Sequence, residues 1–291
     1  MRSTLRHLAG IIVLLTSALA LTGCSAIKLG YNTLPDFTYW WLDGYLDLNE
    51  TQTPQVRADL VKLHAWHREQ ELPKLADLLA KMEAMALGPV SAAQACSLVP
   101  DVRDRVMSVA DQAEPAVVAL VMTLTPKQIR HLERKYQSND ETWRKDWIDL
   151  PPDELKEKRY KEVVERAEMI YGSLEEPQRA VLRQGVEASI FDPKRVFADK
   201  QRRQKELLQT LRKASASGIT PEEARALMRA NLERSARSPD PAFQRYQEQL
   251  VDEGCRHAAA MHETMTPAQR EKAARRLRAY QRDLRELAAR K

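Results

Sequence analysis

Apolar residues along this chain recur every three or four positions, not every second one. Leu60, Leu63 and Trp66, then Leu75, Leu78, Leu79 and Met82 beyond a polar patch, set the rhythm. That spacing belongs to helices that bury one face. Runs of β-branched residues alternating with polar ones are missing, and glycine is scarce, 9 in 291 residues. The spacing predicts helices near 36–48, 53–87, 91–123, 126–149, 153–171, 174–190, 193–215, 221–236, 241–264 and 267–289. The expected fold is all-α: an elongated multi-helix bundle of about ten helices, with no sheet.

The helix starts share one device. Thr125-Pro126-Lys127-Gln128, Thr220-Pro221-Glu222-Glu223 and Thr266-Pro267-Ala268-Gln269 each place Thr, Pro, any residue, then Gln or Glu. Thr caps the third amide of the helix, Pro at the first position has no donor to lose, and Gln or Glu reaches back to the cap. Ser173-Leu174-Glu175-Glu176 is a further capping box without the proline. Gly88, Gly172 and Gly218 mark helix ends. Pro73, Pro100 and Pro115 fall inside predicted helices, so each is expected to kink or break one.

The N-terminus follows another logic. Arg2 and Arg6 precede a nearly uncharged apolar run from Leu8 to Leu21, which meets small residues and a cysteine in Leu21-Thr22-Gly23-Cys24-Ser25. This reads as a secretory signal. The run is shorter than the roughly 18 residues that a spanning helix needs. Leu-Thr-Gly-Cys resembles the lipobox of bacterial lipoproteins. The resemblance implies cleavage before Cys24 and acylation of that residue, and several acyl chains together anchor stably. It divides the chain into a signal at 1–23, a lipidated tether at 24–35 and a single helical domain at 36–291. Ser25, in place of an Asp, points to the periplasmic face of the outer membrane over the inner membrane. A plain signal peptide with an incidental Cys24 and an uncleaved membrane helix are the competing readings.

Processing leaves about 270 residues, enough for one large domain or two small ones. The formal charge of +5 falls by two with Arg2 and Arg6. So small an excess, in an exported chain, argues against a nucleic-acid partner. The most apolar later stretch, Ala116 to Leu124, is too short to span a bilayer and reads as buried helix. Besides Cys24 only Cys96 and Cys255 remain. In an oxidising compartment they are expected to pair, the alternative being two buried free thiols. The bridge would close a loop of about 160 residues, worth at most about 5 kcal/mol by chain entropy. It would also bring the C-terminal helices back onto the N-terminal ones.

Lys28-Leu29-Gly30-Tyr31-Asn32, Trp40-Trp41-Leu42-Asp43 with Tyr45-Leu46-Asp47-Leu48, and Ala65-Trp66-His67-Arg68-Glu69-Gln70-Glu71-Leu72-Pro73 resemble a family of proteobacterial lipoproteins without an assigned activity. That resemblance implies a location and a fold more than a function. Leu124-Thr125-Pro126-Lys127-Gln128 is similar to the Leu-Thr-x-x-Gln motif of helical periplasmic chaperones of the Spy and CpxP type. Met265-Thr266-Pro267-Ala268-Gln269 matches with Met for Leu, and Ile219-Thr220-Pro221-Glu222-Glu223 departs at both ends. This likeness implies a chaperone-like role, but the same motif is also a generic helix start.

Candidate chemistry is sparse. His64, His67 and Glu71 fall near one helix face and are weak candidates for a metal, lacking a fourth ligand nearby. Tyr39, Trp40, Trp41 and Tyr45 either pack the first helix onto the bundle, the favoured reading, or rest on the membrane interface. Asp36, Asp43 and Asp47 among them speak against anionic lipid. Arg275, Arg278, Arg282 and Arg285 form a basic face on the last helix, and Lys194, Arg195, Lys200, Arg202, Arg203 and Lys205 a second basic stretch. Such faces suit an anionic partner, or pair internally with the acidic first helix. Nucleophile elbow, phosphate-binding glycine loop and His-Glu-x-x-His signature are all missing. No catalytic residue and no cofactor is therefore expected.

The chain thus reads as a non-enzymatic envelope protein that binds another envelope component, a protein or an anionic polymer, through a helical surface. Its oligomeric state is not encoded in any pattern above. A chaperone-like role and an enzyme with an unrecognised site between helices are the alternatives. A concave apolar surface would favour the chaperone. A deep pocket of convergent carboxylates would favour the enzyme, and a convex, evenly charged bundle a scaffold.

Overall fold

The computed structural model describes residues 27–290, so Cys24 and the signal stretch lie outside the described residues. Among the described residues all regular structure is helical, with no strand. Residues 27–32, inside the stretch expected as a tether, are helical, and the buried Tyr31 ties them to the bundle. Then come α1 (Leu34–Leu46) and α2 (Gln52–Trp66), which runs through a π-turn (His67–Glu71) into α3 (Leu72–Ala86). The short α4 (Ala92–Cys96) precedes α5 (Leu98–Met122) and α6 (Pro126–Trp143), which ends in a second π-turn (Arg144–Ile148). The remaining helices are α7 (Pro152–Tyr171), α8 (Glu176–Glu187), α9 (Pro193–Ala214), α10 (Pro221–Ala236), α11 (Pro241–Glu263) and α12 (Pro267–Ala289).

The capping boxes form at Thr125, Thr220 and Thr266, each Thr accepting from the amide three residues on. The box expected at Ser173 forms two residues later. Glu175 is the cap, Pro177 takes the second helical position, and the Glu175 amide donates to Gln178 Oε1 at 2.8 Å. Pro177 fits there because that amide also has no intrahelical acceptor. The three prolines behave differently. Pro100 agrees with a break, since the helix expected over 91–123 divides at Ser97. Pro115 stays inside α5. At Pro73 the α-helix is interrupted but the chain stays helical: a π-turn, closed by the Leu72 amide on the His67 carbonyl, lies just before it and accommodates the missing amide.

Among the described residues four apolar clusters hold the bundle together. Val118, Val121, Ile129, Leu132, Leu208 and Leu211 join α5, α6 and α9. Tyr160, Val164, Leu182, Val186 and Met265 join α7 and α8 to the α11–α12 turn. Two further clusters, Tyr31, Leu72, Leu287 and Ala86, Ala273, Leu277, zip α3 along α12. The helical run over 52–86, with its π-turn, has a contour of about 52 Å. Cys96 and Cys255 are bonded, with Cα atoms 5.3 Å apart across 159 residues, and the bond fastens α4 to α11.

Among the described residues no single helix is long and apolar enough to cross a membrane. The pair Ala92–Met122 and Pro126–Ile148 reaches the needed apolarity only together, and it is bent by 116°. Val118, Val121, Ile129 and Leu132 of that pair are core residues.

Candidate functional site

Among the described residues two apolar surfaces stand out. The first is a groove of about 410 Å³ between α2 and α5. Val56, Leu60 and Leu63 form one wall, Ala116 and Leu120 the other, and Leu42 of α1 closes an end. Small side chains at Ala113, Ala116 and Ala119 keep the α5 wall low. Charge is confined to Asp59 and Lys62. At 100° per residue, Val102, Val106, Ala113 and Val117 fall on one side of α5. The three valines are exposed, so an apolar stripe leads along α5 into the groove.

The second surface is the outer face of α1. The aromatic cluster expected to pack splits in two. Tyr39 is 8% exposed, its hydroxyl 3.1 Å from Thr53 Oγ1 and Arg57 stacked 3.7 Å over its ring. Tyr45 meets Tyr136 and accepts from Asn139 at 2.7 Å. Phe37, Trp40 and Trp41, by contrast, are 64%, 65% and 53% exposed. Packing therefore describes Tyr39 and Tyr45, on the inner side of the helix; Phe37, Trp40 and Trp41 lie on its outer side, where Trp41 stays 4.8 Å from the Tyr45 ring.

Of His64, His67 and Glu71, the two histidines come together around the N-terminal segment, and Glu71 does not join them. The Tyr31 hydroxyl is 2.9 Å from His67 Nδ1, and its carbonyl 3.0 Å from His64 Nε2. Burial pushes both imidazoles below their ordinary range. Glu71 is fully buried and faces the other way. Arg105 donates to both its oxygens, at 3.2 and 2.9 Å, while Lys74 and Ser108 each donate at 2.9 Å. Burial raises this carboxyl, but Lys74, Ser108 and Arg105 outweigh it and hold it below its usual range. Among the described residues no group of three or more His, Cys, Asp or Glu is arranged to hold a metal. The three residues are a structural clasp between the first segment, the π-turn and α5.

The basic face of α12 is mostly paired within the molecule. Arg278 donates to Glu83 with Nε at 2.8 Å, Arg285 lies 3.6 Å from Asp77, and Arg275 lies 3.8 Å from Glu271 on its own helix. The partners of Arg278 and Arg285 sit on α3, and none of these partners lies on the acidic first helix, because α12 packs along α3. In the second stretch Lys200 meets Asp140 at 2.6 Å, and Arg202 and Arg203 converge on the buried Asp199. The carboxylates Asp77, Asp101 and Asp104 share an open pocket of about 320 Å³ with Lys74, Lys81 and Arg105. Lys81 pairs with Asp101 at 2.8 Å.

The helix-start glutamines have a second task, which the motif alone did not reveal. Gln178 and Gln269 exchange hydrogen bonds, Nε2 to Oε1, at 2.6 and 2.9 Å. Gln178 also donates to the Thr264 carbonyl at 3.1 Å, and Gln269 to the Ser173 carbonyl at 3.0 Å. Gln52 and Gln128 repeat the arrangement, with Gln128 donating to Gln52 at 2.7 Å and to the Asp47 carbonyl at 3.1 Å. Each joint locks two helix N-termini head to head in a buried place.

Among the described residues, fold and surfaces define an all-α protein held by apolar clusters, closed by one disulfide and carrying two apolar faces. Residues 44–231 match a family of unknown function, DUF6279, and the chain belongs to that family. No curated protein and no solved structure matches the chain.

Proposed function

We propose that this is a lipid-anchored, non-enzymatic protein of the cell envelope that binds an apolar helix of another envelope protein in the α2–α5 groove. The observation that carries the reading is the groove with its valine stripe. From Val102 to Val117 the stripe runs about 22 Å, the length of four helical turns. Helix-in-groove docking uses such a track, with anchors at i, i+3, i+4 and i+7. The anchoring part rests on Leu21-Thr22-Gly23-Cys24, and the outer-membrane location on Ser25. An anionic polymer on α12 is the weaker variant, since Arg278 and Arg285 already have carboxylate partners. An inter-helix enzyme is weaker still: Lys74, Lys81 and Arg105 balance the carboxylates gathered at Asp101.

A chaperone-like role on the same surface is the second reading. It draws on the two closest Leu-Thr-x-x-Gln matches, both of which sit at glutamine joints, and on the exposed valines.

A photocrosslinker at Val117 in intact cells separates these readings. Binding in the groove predicts one dominant protein adduct that disappears when Ala116→Trp fills the groove, with helix content unchanged. A broad ladder of adducts, together with suppressed aggregation of an unfolded protein in vitro, supports the chaperone. Adducts indifferent to Ala116→Trp refute the groove.

A further inference from the structure

The outer face of α1 has a composition that the bundle does not use. At 100° per residue around the helix, Thr33, Leu34, Phe37, Trp40, Trp41 and Gly44 fall within one arc of about 120°. That arc holds no charge, and its four large apolar side chains are all exposed. The three acidic residues of the segment lie to one side of it, and each is occupied. Asp36 accepts from Arg57 at 2.9 Å, Asp43 accepts from the Leu48 amide at 3.0 Å, and Asp47 lies 3.6 Å from Lys127. The carboxylates that argued against a lipid surface therefore do not face it.

The connection to Cys24 is short. Only Ser25 and Ala26 separate it from Ile27, a reach of at most about 11 Å over three peptide steps. From residue 27 the chain is helical and clasped. Lys28 pairs with Asp283 at 3.3 Å and with Glu286, and Tyr31 is buried against Leu72 and Leu287. The arc begins at Thr33, about 9 Å of helix beyond Ile27. A bilayer that holds acyl chains at Cys24 thus lies within reach of Leu34 and Phe37, with no long leash between them. Indole rings favour the membrane–water interface, where the ring is apolar and the N–H finds water or headgroups.

We infer that the outer face of α1 is a membrane-seating surface: Leu34, Phe37, Trp40 and Trp41 enter the interfacial layer of the bilayer and hold the bundle in a fixed orientation on it. The inference rests on the lipid-anchor reading for the proximity of the bilayer, and on the exposed arc for the contact itself.

The test is tryptophan quenching in the full-length processed protein. Trp66, Trp143 and Trp147 are replaced by Phe, leaving Trp40 and Trp41 as the only emitters. The protein is incorporated into vesicles of phosphatidylethanolamine and phosphatidylglycerol. Lipids brominated near the headgroup end of the acyl chain are expected to remove about half of the emission, and aqueous iodide little of it. Emission that iodide quenches fully and bromolipid leaves untouched overturns the inference, because the rings then face water. The mass of the mature N-terminus is read on the same sample and reports the anchor separately. An acylated protein with water-facing rings refutes the seat alone. An unacylated protein refutes the anchor, and its quenching when added to the same vesicles still decides the seat.

Discussion

Replacing Gln178 by Ala separates a helix cap from an inter-helix joint. The side chain is 1% exposed and takes part in four contacts. It accepts from the Glu175 amide at 2.8 Å and from Gln269 Nε2 at 2.9 Å, and donates to the Thr264 carbonyl at 3.1 Å and to Gln269 Oε1 at 2.6 Å. Truncation leaves the Glu175 amide, the Thr264 carbonyl and one hydrogen of the Gln269 amide without their partners. At about 1 kcal/mol for each, with a small cavity added, the loss is about 3 kcal/mol. Thr266→Ala, which removes a cap oxygen and leaves the joint, should cost only about 1 kcal/mol. Urea unfolding followed by circular dichroism at constant m-value measures both. Gln178→Glu sharpens the point, because a carboxylate would face Gln269 Oε1 and the Thr264 carbonyl, both acceptors. Its folded pKa should rise, so the variant should be weakest at neutral pH and recover as the acid is protonated. If Gln178→Ala costs no more than Thr266→Ala, Gln178 is an ordinary capping residue and the joint carries nothing.

Three further outcomes are expected. Reducing the Cys96–Cys255 bond, whose bonded residues are 159 apart, should lower the melting temperature, with about 5 kcal/mol as the ceiling; an unchanged melt would show that the loop is closed as firmly without it. Burial depresses His64, His67 and His262 in the fold, so the unfolded chain takes up protons first, and stability present above about pH 6.5 should drain away as pH falls through their lower folded values; urea midpoints that stay flat from pH 7.5 to 5 refute this. Cys24→Ala should leave an unacylated precursor, read by radioactive palmitate and by mass, whereas a normally processed membrane form would remove the lipobox reading.

Local chemistry was the legible part of the sequence. The three Thr-Pro starts lie where their caps demand, because a capping box is completed within four residues. The Cys96–Cys255 pair followed from counting. What stayed hidden depends on distant partners. Nothing near Gln178 announces Gln269, 91 residues away. The period of α1 shows its aromatics but not which side of the helix meets α2 and α6, so the inner tyrosines and the outer tryptophans looked alike. The interruption at Pro73 was legible from its missing amide, but its form was not, because a π-turn, which adds one residue to the turn before it, leaves no mark in hydrophobic spacing. The arginines of α12 were legible as basic, but their partners Glu83 and Asp77 were fixed only by the packing of α3.

The pairing of α3 with α12 also sets an order of events. Arg278 and Glu83 are 195 residues apart, and Lys28 finds Asp283 across most of the chain. A chain growing from its N-terminus completes α3 long before α12 exists. Until then Leu72, Leu75, Leu79 and Met82 lack the cover that α12 gives them, and Tyr31 has only part of its seat. The earliest-made segment is therefore the last to be secured. A polypeptide truncated before Pro267 would expose to solvent the apolar face of α3 that α12 covers, beside its N-terminus.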